Sequence, residues 1–230
     1  MSHLPLSCLR YASARAIRNV TMAWVAGFSV FAGAVAAEPL TVVALGDSLT
    51  AGYGLAPEEG LVPQLQAWLV AEGREVAVVN AGVSGDTTAG GLSRLDWSLT
   101  PETDALIVTL GGNDMLRGLP PAEARANLDA ILTGAGARGL PVLLVGMEAP
   151  GNYGPDYKAE FDAIYPDLAA QHGALLMPSF FGPLLADGGD PAAIGGLMQA
   201  DGIHPNAEGV RQIVAGMGPK VLELLDRVAE

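Results

Sequence analysis

The chain has 230 residues, half of them hydrophobic, with 12 basic against 25 acidic side chains and a net charge of −13 at pH 7. That balance argues against nucleic acid or anionic lipid as the main partner, because a net negative chain repels polyanions. A single cysteine also excludes a disulfide framework, so a packed core must supply the stability.

The first element reads as an export signal. Arg10, Arg15 and Arg18 precede an uncharged apolar stretch over 20–35, and small residues follow at Ala34, Ala36 and Ala37. Residues 1–37 are therefore expected to leave as a signal peptide, since the apolar stretch is short for a spanning helix. Cys8 precedes that stretch, where a lipid-modified cysteine would have to follow it, and it departs with the signal. Cleavage removes three arginines and no acid, which takes the charge from −13 to −16. The remaining 38–230, about 190 residues, suffice for one domain. The expectation is a periplasmic or secreted monomer with no stable membrane insertion after cleavage.

Next come five short apolar runs, at 41–45, 76–79, 105–110, 141–147 and 174–177, which read as buried parallel strands. Helical spacing fills the gaps: Leu61, Leu65, Trp68 and Leu69 share one face, and 121–137 forms a second helix. The alternation implies βαβ units and an α/β fold. The stretch 179–200, with Phe180, Phe181 and Leu184 among glycines, lacks periodicity and reads as either a connector or a lid facing the substrate. The last helix follows Pro205-Asn206, carries Val210, Ile213, Val214, Met217, Val221 and Leu225 on one stripe, and should break at Gly218-Pro219.

Chemistry enters with Gly46-Asp47-Ser48-Leu49, which places a serine hydroxyl where the first strand gives way to a loop. A serine nucleophile needs a base and a carboxylate to orient that base. Beyond the signal only two histidines remain. His172 stands before Gly173, where a histidine commonly caps the carbonyls at a helix end. His204 lies in Asp201-Gly202-Ile203-His204-Pro205-Asn206, and in a loop that spacing can fold the Asp201 carboxylate onto the histidine Nδ1. Donors for an oxyanion could come from two strand-end loops, Asn80-Ala81-Gly82-Val83-Ser84-Gly85-Asp86-Thr87 and Gly111-Gly112-Asn113-Asp114.

These four blocks, in this order, resemble the SGNH hydrolases, also called GDSL esterases and lipases, and in particular their thioesterase, lysophospholipase and arylesterase branch. The resemblance spans residues 40–225 or so. It implies Ser48 as nucleophile, His204 as base and Asp201 as its orienter, with an oxyanion hole from the Ser48 and Gly85 amides and the Asn113 side chain. It also implies a flavodoxin-like three-layer α/β/α sandwich around a five-stranded parallel sheet, with no metal or cofactor. Met115-Leu116-Arg117-Gly118 and Asn152-Tyr153-Gly154 are family-like loops, so Met115, Leu116, Asn152 and Tyr153 are expected to touch substrate. Glu148-Ala149-Pro150 departs from the bulkier apolar residue usual before that proline, which does not favour a long acyl chain.

The activity expected is hydrolysis of small-molecule carboxylic esters or thioesters through an acyl-enzyme on Ser48. A deacetylase of polysaccharide or peptidoglycan is a second reading, and a ligand-binding protein on an esterase scaffold a third. The glycine clusters match neither the phosphate loop nor the dinucleotide fingerprint, and the sequence has no cluster of metal-ligand residues.

Overall fold

A computed structural model describes residues 39–185 and 193–228. The expected signal segment 1–37 lies outside the described residues, as do 186–192 within the aperiodic stretch.

Five strands form one all-parallel sheet: β1 (Leu40–Gly46), β2 (Val76–Gly82), β3 (Ala105–Thr109), β4 (Val142–Val145) and β5 (Leu175–Met177), in the order β2-β1-β3-β4-β5. Helices alternate with them: α1 (Ser48–Ala51), α2 (Leu61–Ala71), α3 (Thr88–Ser93), α4 (Leu95–Ser98), α5 (Gly112–Leu116), α6 (Pro121–Gly136), α7 (Pro155–Asp162), α8 (Ile164–His172) and α9 (Ala207–Val228). Parallel neighbours require crossovers, and the helices supply them while covering both faces. β1, β3 and β4 are accordingly apolar and buried along nearly their whole length.

β2 departs from the expectation twice. It is an edge strand and only half buried, with Val79 exposed. It also continues through Asn80-Ala81-Gly82, because its pairing with β1 persists to the Gly46–Gly82 register. Residues of low strand propensity are held there by the ladder rather than by their own preference.

α9 is the second correction. It runs unbroken over Ala207–Val228 with Pro219 inside it. Proline removes the amide that would reach the carbonyl of Ala215, but Ala215 faces solvent, where water can satisfy that oxygen. Gly218 serves contact rather than breakage: a Cβ there would stand 2.5 Å from the Trp68 ring of α2. The stripe buries Val210, Ile213, Val214, Met217, Val221 and Leu225 as spaced, with Leu224 added.

The sheet reverses its winding between β1 and β3. In sheets of this kind the crevice at the carboxyl ends of those two strands is where ligands bind, and Ser48 follows β1 directly.

Candidate active site

Gly46 ends β1 in a space too small for any side chain, because a Cβ would collide with Thr50 Oγ1 and stand 2.9 Å from the Thr109 carbonyl. The chain can therefore turn at once into α1, whose N-cap is Asp47. Its Oδ1 accepts from the Leu49 amide at 3.0 Å. Ser48 is thereby presented at the first helical position, partly exposed at the head of the sheet.

Ser48 Oγ lies 2.8 Å from His204 Nε2, and His204 Nδ1 lies 2.7 Å from Asp201 Oδ2. The other Asp201 oxygen accepts from the amides of Ile203 at 2.9 Å and His204 at 3.0 Å. The carboxylate is thus the centre of its own turn. Those bonds, led by the His204 amide, draw the Asp201 carboxyl down to about 2. The turn is laced to the preceding chain: Met198 bridges Pro205, the Gln199 amide donates to the His204 carbonyl at 2.7 Å, and Gln199 Nε2 reaches the Tyr53 carbonyl at 2.8 Å. Tyr53 packs its ring 4.8 Å from the imidazole, a contact that its place in the sequence does not announce.

The two proposed donor loops converge on the same point. Gly85 has φ +86°, a left-handed conformation that a side chain would strain. Gly85 and Asn113 both line one cavity with Ser48 and His204. Asn113 Nδ2 donates to Asp47 Oδ2 at 3.2 Å, which uses one amide hydrogen, and among the described residues the other meets no acceptor. Asp47 is 2 % exposed, and its burial raises the carboxyl to about 6 against the amide bonds that lower it. Sequence reasoning gives Asp47 no role. Its position beside the serine is visible, but its partner lies 66 residues away.

Further ties hold the Gly85 loop. Buried Asp114 accepts from Thr88 Oγ1 at 2.6 Å and from the Thr88 amide at 2.8 Å, joining this loop to that of Asn113. Arg117 Nη2 donates to the Gly85 carbonyl at 2.7 Å.

The cavity beside Ser48 has a volume of about 530 Å³, with walls from Leu49, Met115, Leu116, Met147, Phe181 and Met198 among others. Met115 and Leu116 stand in those walls. Asn152 and Tyr153 do not line it. They sit on a 3₁₀ turn, Gly151–Tyr153, where the Tyr153 hydroxyl donates to the Leu116 carbonyl at 3.3 Å and supports that loop from outside. Ala149 is also absent from the walls, being buried with its amide bonded to Asp162. The aperiodic stretch contributes Phe181, Ile194 and Met198 to the cavity. His172 ends α8 but caps no carbonyl with its ring; its Nε2 lies 2.7 Å from Asp129 Oδ1 and ties α8 to α6. Among the described residues no group of acids, histidines or cysteines is arranged to hold a metal ion.

A doubly wound parallel sheet with serine, histidine and aspartate in one hydrogen-bonded line at its switch point defines an α/β serine hydrolase. The model of the GDSL-like lipase/acylhydrolase family matches residues 44–212. Esterase TesA of Pseudomonas aeruginosa is 44% identical over 186 residues, covering 80% of this chain and 89% of that protein. Thioesterase 1/protease 1/lysophospholipase L1 of Escherichia coli K12 is 36% identical over 193 residues, covering 83% and 88%. Among solved structures, AlinE4, an SGNH-hydrolase family esterase, superposes with a TM-score of 0.66 at 45% identity, covering 82% of this chain and 98% of that one. The chain belongs to the GDSL-like lipase/acylhydrolase family and is a serine ester hydrolase.

Proposed function

We propose that Ser48 carries out two-step acyl transfer to water. His204 Nε2 takes the hydroxyl proton as Oγ attacks the acyl carbon, and the carbonyl oxygen becomes an oxyanion facing the Ser48 and Gly85 amides and the free Asn113 hydrogen. When the tetrahedral centre collapses, the bond to the leaving oxygen or sulfur breaks and His204 returns the proton to it. Water then attacks the acyl-enzyme through the same base, releasing the acid and restoring Ser48. Asp201 fixes the tautomer in which Nδ1 bears the hydrogen and Nε2 the lone pair.

The observation that carries this reading is the unbroken line from Ser48 Oγ through His204 to Asp201, at 2.8 and 2.7 Å. The test is Ser48→Ala: hydrolysis of p-nitrophenyl butyrate should disappear, and a variant retaining the parent's rate refutes the assignment. The apolar walls favour an aliphatic acyl group over acetyl on a sugar. A matched series of p-nitrophenyl esters and acyl-CoA thioesters of rising chain length tests that preference. The similarity to a protein named thioesterase 1 supports including thioesters. An arginine-led apolar N-terminus supports export to the periplasm or beyond, with 38–230 as the mature domain.

A further inference from the structure

The amides that must hold the oxyanion stand on two separate strand ends. Ser48 follows β1, Gly85 follows β2, and the ladder joining those strands stops at Gly46 and Gly82. One further backbone bond, from the Val83 amide to the Gly46 carbonyl at 3.0 Å, carries the pairing forward. Arg94 clasps the end of the ladder. It sits between α3 and α4, and its guanidinium donates from Nη2 to the Gly46 carbonyl at 2.8 Å, from Nη1 to the Ala81 carbonyl at 2.7 Å and from Nε to Asp86 Oδ2 at 2.6 Å. One planar fork therefore holds the residue before Asp47-Ser48, the end of β2 and the residue after Gly85. The Arg94 and Asp86 side chains are only 17% and 19% exposed, so their ion pair is little screened. Asp86 is seated in turn, since a Cβ on Gly90 would lie 2.5 Å from its Oδ1.

We propose that Arg94 is a positioning residue of the oxyanion hole, setting the Gly85 amide at a fixed height against the Ser48 amide. Arg94 is not among the residues that line the cavity and acts through the two loops it joins. Donor placement matters because misplacement by about 1 Å can cost on the order of a hundredfold in rate. A lysine offers one nitrogen, and it cannot reproduce a fork with three directions.

The inference rests on the roles given above to Ser48 and Gly85, and the experiment separates the two. Arg94→Met, Arg94→Lys and Asp86→Asn are compared on p-nitrophenyl butyrate, with kcat expressed per active site titrated by a fluorophosphonate and thermal melts run alongside. Arg94→Met should lower kcat per titrated site by roughly tenfold to a hundredfold while KM changes by less than about threefold. Arg94→Lys should recover part of that loss, and Asp86→Asn should show part of it. A merely structural arginine would instead reduce the titratable fraction and the melting temperature, leaving kcat per site intact. Parent-like kcat per titrated site in Arg94→Lys and Asp86→Asn, together with Arg94→Met if it folds, overturns the proposal. Ser48→Ala serves as the control: activity surviving in that variant would mean that the catalytic assignment itself has failed.

Discussion

The substitution Asp47→Asn should separate stability from catalysis. The new side chain could still accept from the Leu49 amide through its own Oδ1, so the cap of α1 survives. Its NH₂ would then face Asn113 Nδ2, donor against donor, in place of the present 3.2 Å bond. Asn113 relieves that clash by turning its amide over, which presents an acceptor where the oxyanion needs a donor. Loss of one such donor costs about 10²–10³ in kcat, and that is the expected fall. Stability should move the other way. The Asp47 carboxyl stands at about 6 in the fold against 3.8 for an ordinary aspartate, so the folded protein holds its proton more tightly. The stability conferred by that proton is complete below about pH 4 and is lost as the pH rises through 6. The loss amounts to about 3 kcal/mol at most. A neutral amide at this position avoids it, so the variant should match the parent near pH 4 and gain on it up to about pH 7. The assays are urea unfolding at both pH values and kcat on p-nitrophenyl butyrate. A variant that keeps the parent's kcat, or that gains no stability between pH 4 and 7, refutes the reasoning.

Asp201→Asn should cut kcat/KM by roughly 10⁴, because the amide NH₂ favours the tautomer that leaves Nε2 protonated; the same ester assay at pH 7 checks it. The Asp201 carboxyl, drawn down to about 2, should add no break of its own above pH 4 in a kcat/KM profile. Gly218→Ala should lower the melting temperature although alanine favours helix by about 1 kcal/mol, because overpacking against Trp68 costs about 1–3 kcal/mol. A rise in melting temperature would show that the Trp68 ring can move aside.

Period and punctuation make much of this molecule readable in advance. Central strands buried on both faces read as plain apolar runs, and β1, β3 and β4 lie where those runs fall. The Asp201-His204 pair is legible because a turn of four residues contains the whole interaction. What escapes is long in sequence and short in space. Asp47 meets Asn113, and Arg94 gathers acceptors 8, 13 and 48 residues away, and no local pattern marks such meetings. The extension of β2 and the continuity of α9 through Pro219 are hidden for a related reason: tertiary pairing and solvent access outweigh residue preference. Resemblance puts Asn152 and Tyr153 on a loop near the site, but which side of a wall a loop occupies is decided by packing.

The division of labour around the sheet bears on how such an enzyme can change. The proposed nucleophile and oxyanion donors hang from β1, β2 and β3, whereas Met147 reaches the cavity from the chain after β4 and Phe181, Ile194 and Met198 from the chain after β5, which goes on to Asp201 and His204. None of these four carries a reacting group, although Met198 pairs with Pro205 beside His204. Walls can therefore be exchanged, and with them the shape of the acid released, while the turnover machinery keeps its geometry. A lineage that varied Met147, Phe181 and Ile194 alone, with the Asp201–His204 turn kept as it is, could move among substrates without passing through an inactive ancestor.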